Sequence, residues 1–238
     1  MSDQPGPGEP IALPDVLPIF PLTGVLLLPR GRLPLNIFEP RYLAMTRDAL
    51  GGVRYIGIIQ PADPTTAAPG RSPGAMGGEM NPPVYPIGCA GRITQFSETD
   101  DGRYLLTLTG VSRFRIAEEL PLISGYRRVV PDWGPFARDR ERQAPPRFDR
   151  DRLIRGLQSY FALRQISADW EAIGKAPGEY LVTSLAMACP FAPSEKQALL
   201  EAADQGERAR LLTTLVEMAA VEPTANEEDG GPSGGTRH

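Results

Sequence analysis

The chain has 238 residues with a formal net charge of −4; 41% of its residues are hydrophobic and 23% charged. That length suffices to remove roughly 70% of the unfolded surface from water, in one large core or two smaller ones. No apolar run approaches the ~18 residues of a membrane span, and the acidic balance argues against nucleic acid as the main partner.

The first thirteen residues are polar and rich in Gly and Pro, and read as a tail too poor in apolar groups to order itself. They lack the basic-then-apolar order of a signal peptide, so the expected location is the cytoplasm. Residues 14–133 are expected to be mainly β. Short apolar runs alternate with turn residues: Val16–Leu22, Val25–Leu28, Leu33–Phe38, Tyr55–Gln60, Ile87–Phe96, Tyr104–Thr109, Phe114–Ala117 and Tyr126–Val130. This pattern fits a small barrel or a sandwich.

One helix interrupts the strands. Pro40 suits a first helical position, Tyr42, Met45 and Ala49 follow at helical spacing, and Gly51-Gly52 is expected to supply a left-handed stop. Phe38, Glu39, Arg41, Tyr42 and, farther on, Arg113 make up the signature of this joint. Glu39, between Phe38 and Pro40, needs a cationic partner, and Arg41 or Arg113 can provide it.

Residues 61–83 form a long loop in which ten of 23 residues are Pro or Gly. Loops of this length are functional or disordered. Met76 and Met80, with Tyr85 at its end, are the candidate protein-binding contacts, since methionine adapts to varied surfaces. Thr99-Asp100-Asp101-Gly102 predicts a hairpin pairing residues 91–98 with 103–110. Residues 134–147, rich in Pro and mixed charge, read as a linker.

From 148 to 221 the pattern is helical. Leu153, Leu157, Tyr160 and Phe161 form one stripe, and Pro177 opens a helix carrying Leu181 and Leu185. Ser194 and Gln197 are expected to form a capping box. Gly206 is expected to stop that helix, and Asp204 with Glu207 to cap the next, which carries Leu211, Leu212, Leu215 and Val216. Residues 222–238 read as a second disordered tail.

Several chemistries lack their residues. The only histidine is His238, so a Ser-His or Cys-His nucleophile pair has no positioned base. Two cysteines, Cys89 and Cys189, cannot build a four-ligand zinc site and read as half-buried free thiols. There is no phosphate-cradling Gly-x-x-x-x-Gly-Lys-Ser/Thr loop. The two lysines, Lys175 and Lys196, read as solvated charge. No cofactor or metal is expected, and no catalytic residue.

Six stretches in order resemble the amino-terminal domain family of Lon proteases. They are Leu17–Leu22, Leu33–Tyr42, Ile56–Ile59, Ile87–Gly91, Gly110–Ile116 and Pro193–Glu201, together spanning about residues 14–220. The resemblance implies an α+β fold, with a β pseudo-barrel related to the RNA-binding PUA fold followed by a C-terminal α-helical bundle. It also implies substrate recognition by a stand-alone, non-catalytic protein-binding adaptor, since the ATPase and Ser-Lys peptidase modules of the full proteases have no counterpart here. The partner would be a protein or an unfolded polypeptide. The alternative is an RNA-binding module, suggested by the fold and by residues 103–155, where twelve Arg face seven Asp/Glu.

Overall fold

The computed structural model describes residues 12–62, 82–141 and 144–221. They form six strands, β1 (Leu17–Pro21), β2 (Arg32–Ile37), β3 (Tyr55–Ile59), β4 (Ile87–Glu98), β5 (Tyr104–Ile123) and β6 (Tyr126–Asp132). Six helices accompany them: α1 (Pro40–Gly51), α2 (Arg150–Leu163), α3 (Trp170–Lys175), α4 (Gly178–Ala188), α5 (Pro193–Glu201) and α6 (Gln205–Val221). A 3-10 turn spans Gly134–Arg140.

The strand order is β2-β5-β4-β3-β1-β6, and β6 pairs back onto β5. Five strands therefore close into a ring, and β2 extends it as a wing on the first half of β5. Only β1 and β3 run parallel. Closure removes the exposed edges that a strand of 20 residues would otherwise present. The sequence shows β5 as two runs broken at Gly110. The strand instead passes through that glycine, with a register shift against β4 between Ala90 and Gly91.

Alternate residues fill the ring. Leu17, Ile19, Tyr55, Ile59, Ala90, Phe114, Ile116 and Val129 form its core. Gly57 and Gly88 make room for the Phe114 ring: a Cβ on either would stand 3.0 Å or less from it. On the opposite face of the same strands Ile56, Ile58, Cys89, Ile93 and Leu108 are also buried, so β3 is buried along its whole length. α1 packs on β1, β3 and β6, and α5 on β4.

The expected hairpin is present, with Glu98 opposite Tyr104 and Gly91 opposite Gly110, and Gly102 at φ +78°. α1 begins at Pro40 and buries Tyr42, Met45, Thr46 and Ala49. Its stop differs from expectation. Gly52 has φ −115°, and the left-handed residue is Arg54 at φ +63°, whose N–H reaches the Ala49 carbonyl at 3.0 Å. Val25–Leu28, expected as a strand, is irregular but largely buried. The Gln60 side chain takes the Gly24 N–H and donates to the Val25 carbonyl, replacing a ladder.

Two compact units arise. The first joins the described residues up to Ala144 with Thr183–Glu201; the second joins Pro145–Val182 with those from Ala202 onward. The helical stretch is thus shared between units, because α5 packs on β4.

In the second unit α2 and α6 pack together. Their approach is close at Gly156, where a Cβ would lie 3.0 Å from Val216. Asp149 caps α2, a cap the sequence reading did not single out. At α6 the Asp204 carboxylate accepts the Glu207 N–H, as the sequence suggests, while the Glu207 carboxylate accepts the N–H of Ala203, one residue before Asp204. Gly206 lies inside the first turn of α6 and does not end α5.

The box at Ser194 is shifted by two residues. Glu195 accepts from the Ala192 N–H, while Gln197 donates to the Ile87 carbonyl. That shift turns Lys196 inward. It is 6% exposed, and its Nζ donates to the Gly24 carbonyl at 2.8 Å, so the solvated-charge expectation fails for this lysine. Lys175 is exposed and pairs with Glu171.

Candidate functional site

The signature residues separate into three settings. Phe38, just past β2, is 62% exposed. Glu39 precedes α1 without capping it; its carboxylate instead accepts from Arg41 at 2.9 Å. The same guanidinium lies 4.5 Å over the Tyr42 ring, which stacks on Phe20 at 4.1 Å. Burial pushes the Tyr42 hydroxyl above its ordinary range.

Arg113 takes no part in this joint. Its Nε and Nη2 hold both oxygens of Asp139, and its Nη1 donates to the Leu200 carbonyl at 3.0 Å. Asp139 lies in the segment that reads as a linker. These residues hold the scaffold together.

Of the candidate loop contacts, Met76 and Met80 lie outside the described residues. Tyr85 is partly buried, with its N–H on the Gln60 carbonyl at 3.0 Å.

One concavity among the described residues lies on the wing. Three strands contribute aligned rows: Leu35, Leu106 and Phe96 in the middle, Pro34, Thr107 and Gln95 to one side, Asn36, Leu105 and Ser97 to the other. Together they line an open groove of 530 Å³, within the range of ligand-binding clefts. Leu105 is 44% and Phe96 42% exposed. Leu105 shares its face with the Thr107 and Ser97 hydroxyls and the Asn36 and Gln95 amides, whereas Phe96 lies on the other face in the row of Leu35 and Leu106.

The groove's polar groups are already ordered. Thr107 Oγ1 donates to Gln95 Oε1 at 3.0 Å, and Arg32 reaches the same oxygen at 3.2 Å. None of the nine lining residues is ionisable. Such a surface can hold apolar and amide-bearing chain but offers no general acid, base or nucleophile. Among the described residues no cluster of His, Cys, Asp or Glu could hold a metal.

The sequence contains a signal for this groove that periodicity reading passes over. Leu105 stands between the buried Tyr104 and Leu106, so alternation alone places a large apolar side chain on the outward face.

Residues 16–218 match the family described as the ATP-dependent protease La (LON) substrate-binding domain. Lon protease 2 of Sorangium cellulosum is 25% identical over 221 residues, which is 85% of this chain and 24% of that protein. Lon protease 2 of Myxococcus xanthus is 30% identical over 123 residues, 50% of this chain and 14% of the relative. The chain thus spans a small part of the curated relatives it matches.

Two solved structures share the fold. The Lon N-terminal domain protein from Xanthomonas campestris has a TM-score of 0.55 at 22% identity, covering 84% of this chain and 97% of that one. The N-terminal domain of a Mycobacterium avium complex Lon protease has a TM-score of 0.57 at 18% identity, with the same coverage. With a closed barrel, a strand wing and C-terminal helices matched along nearly its whole described length, the chain belongs to the Lon substrate-binding domain family.

Proposed function

We propose that this chain is a non-catalytic protein-binding module that takes apolar stretches of unfolded polypeptide into the wing groove. The observation that carries this reading is the wing itself: its concavity has no ionisable lining, and its sheet leaves large apolar side chains exposed, Leu105 on one face and Phe96 on the other. The family description supports a polypeptide ligand. The sequence supports the non-catalytic part, since its only histidine is His238 and it has no phosphate-cradling loop. Met76, Met80 and Tyr85 are proposed as further contacts on side-chain chemistry alone. Two free, buried thiols fit a reducing compartment such as the cytoplasm.

The test is fluorescence anisotropy with a labelled, permanently unfolded, carboxymethylated protein. Leu105→Asp should weaken binding about tenfold if its face takes the chain, and Phe96→Ser about tenfold if the other face does, as expected for charging or truncating a central contact. Both should leave far-UV circular dichroism unchanged, because the two side chains are already partly in solvent. Unaltered binding by both variants would sink the groove assignment. An unchanged protein that ignores unfolded chains would sink the protein-binding reading itself.

A further inference from the structure

The wing groove has a cationic end. Arg32 on β2 and Arg92 on β4 are both opposite Thr109 on β5. Directly opposed residues share a face, and successive residues of a strand alternate between faces. Both arginines therefore stand on the face that carries Thr107 and Leu105. On that face the Thr94 and Thr109 hydroxyls meet at 3.0 Å. The Arg32 side chain reaches across β5, and its Nη2 donates to Gln95 Oε1 at 3.2 Å, the oxygen that also accepts from Thr107. Gln95 and Thr107 line the groove, so the guanidinium is bonded to the groove wall itself.

That guanidinium keeps donors to spare. It carries several N–H groups, and among the described residues Gln95 takes one of them. Neither Arg32 nor Arg92 pairs with an acidic side chain among the described residues. Arg32 is exposed. The groove residues on the same face, Pro34, Asn36, Leu105, Thr107, Gln95 and Ser97, are all uncharged. Glu98, the acid at the end of β4, is opposite Tyr104 and so belongs to the other face. Along β5 this face is thus apolar at Leu105, neutral and polar at Thr107, and cationic at Thr109.

We propose that the groove selects extended polypeptide segments in which an acidic side chain stands four positions from a large apolar one, the apolar group on Leu105 and the carboxylate on Arg32. This rests on the groove reading and commits it to the Leu105 face. Leu105 and Thr109 are four residues apart on β5, about 13 Å, which is the span of four residues of extended chain. A carboxylate accepts charge-assisted hydrogen bonds from a guanidinium, and Arg92, in the same row, adds its positive field. A basic side chain at that place would meet two cations and no acid.

The experiment measures fluorescence anisotropy of the full chain with labelled peptides blocked at both ends. Each peptide carries a Phe and, four positions away, Glu, Gln or Lys, and each is made in both orders. In at least one order the Glu peptide should bind about fivefold tighter than the Gln peptide, the scale of one partly exposed charge pair. The Lys peptide should bind more weakly than either. The advantage of Glu should shrink as sodium chloride is added. Arg32→Gln should bring the Glu peptide down to the level of the Gln peptide. Arg32→Glu should reverse the preference between Glu and Lys, which a loss of structure cannot do. Arg32 is exposed, so both variants should keep the far-UV circular dichroism of the unaltered chain. Equal binding of the Glu and Gln peptides in both orders, or a Glu advantage that survives in Arg32→Gln, would overturn the proposal and leave the groove reading standing. If none of the peptides binds, the proposal falls; if carboxymethylated unfolded protein is ignored as well, the groove reading falls with it.

Discussion

The Arg113 guanidinium and the Asp139 carboxylate meet as a fork on a fork, Nη2 to Oδ1 at 2.8 Å and Nε to Oδ2 at 2.9 Å, with both side chains about 5% exposed. Asp139 Oδ2 also accepts the Arg113 backbone N–H, and the guanidinium stacks 4.7 Å over Phe136. One pair thus fixes the 3-10 turn to β5 and, through the Leu200 carbonyl, the end of α5 to the same strand. Breaking a buried pair from one side leaves a desolvated charge behind. Asp139→Ala should therefore cost about 3–5 kcal/mol. Replacing both residues by apolar ones, as in Arg113→Met with Asp139→Leu, should cost much less. Urea unfolding of the single and double variants measures the difference; equal losses would show that the pair does not act as a unit.

A second prediction concerns pH. The Tyr126 hydroxyl donates to Asp48 at 2.7 Å. Burial first, and that bond second, push it from 10.0 up to about 12. A phenol whose pKa is raised by folding contributes stability that is fully present below pH 10. That contribution is lost as pH climbs from 10 through 12. The loss should be on the order of 2 kcal/mol. Tyr126→Phe should be less stable at pH 8 by about 1 kcal/mol, for the lost hydrogen bond, but should show a shallower decline above pH 10. Urea midpoints at pH 8 and pH 11 test this, and parallel declines in both proteins would refute it.

The barrel core makes a third. At Gly88 a Cβ would stand 2.7 Å from the Phe114 ring and 2.7 Å from the Ile58 carbonyl oxygen. The ring can tilt, but the carbonyl belongs to β3 and cannot. Gly88→Ala should destabilise by at least about 1–3 kcal/mol, the usual scale of overpacking. Phe114→Leu in the same chain should recover part of that loss, because it frees the ring's share of the space. If the double variant is as unstable as the sum of the singles, the backbone contact alone sets the cost.

What could be read from the sequence was local. Pro40 and the Tyr42, Met45, Ala49 spacing mark α1, and Thr99 to Gly102 marks the hairpin, because each depends on residues a few positions apart. Asp204 and Glu207 signal α6 for the same reason. The missed features are relations across distance. Asp139 looks like one charge in a Pro-rich linker, since its partner Arg113 is 26 residues away. Lys196 looks solvated until the start of α5 at Pro193 decides which face it occupies. Gly110 looks like a break, whereas β5 runs through it. The groove has no sequence motif at all: it exists only once β2, β5 and β4 lie side by side.

The wing leads to the last prediction. Among the described residues β2 pairs only with β5, so its other side is a sheet edge there. The Gly110 N–H donates to the Gly31 carbonyl, and bonded and unbonded pairs alternate along an antiparallel ladder. By that alternation Leu33, Leu35 and Ile37 turn their backbone groups to β5, and Arg32, Pro34 and Asn36 turn theirs outward. Pro34, opposite Thr107, thus occupies the middle of the free edge, where it offers no N–H. An incoming chain cannot complete a ladder there, so polypeptide binding on the wing should rely on side chains in the groove. Pro34→Val would restore the donor and add a β-branched residue to an exposed edge, the situation native proteins avoid. It should raise concentration-dependent association, seen as a light-scattering mass that grows with protein concentration beyond that of the unaltered chain. It should leave the affinity for unfolded polypeptide within about twofold, since the loss of one edge proline changes no groove side chain apart from its own. A variant whose mass matches the unaltered protein at every concentration would show that Pro34 is not what keeps the edge closed.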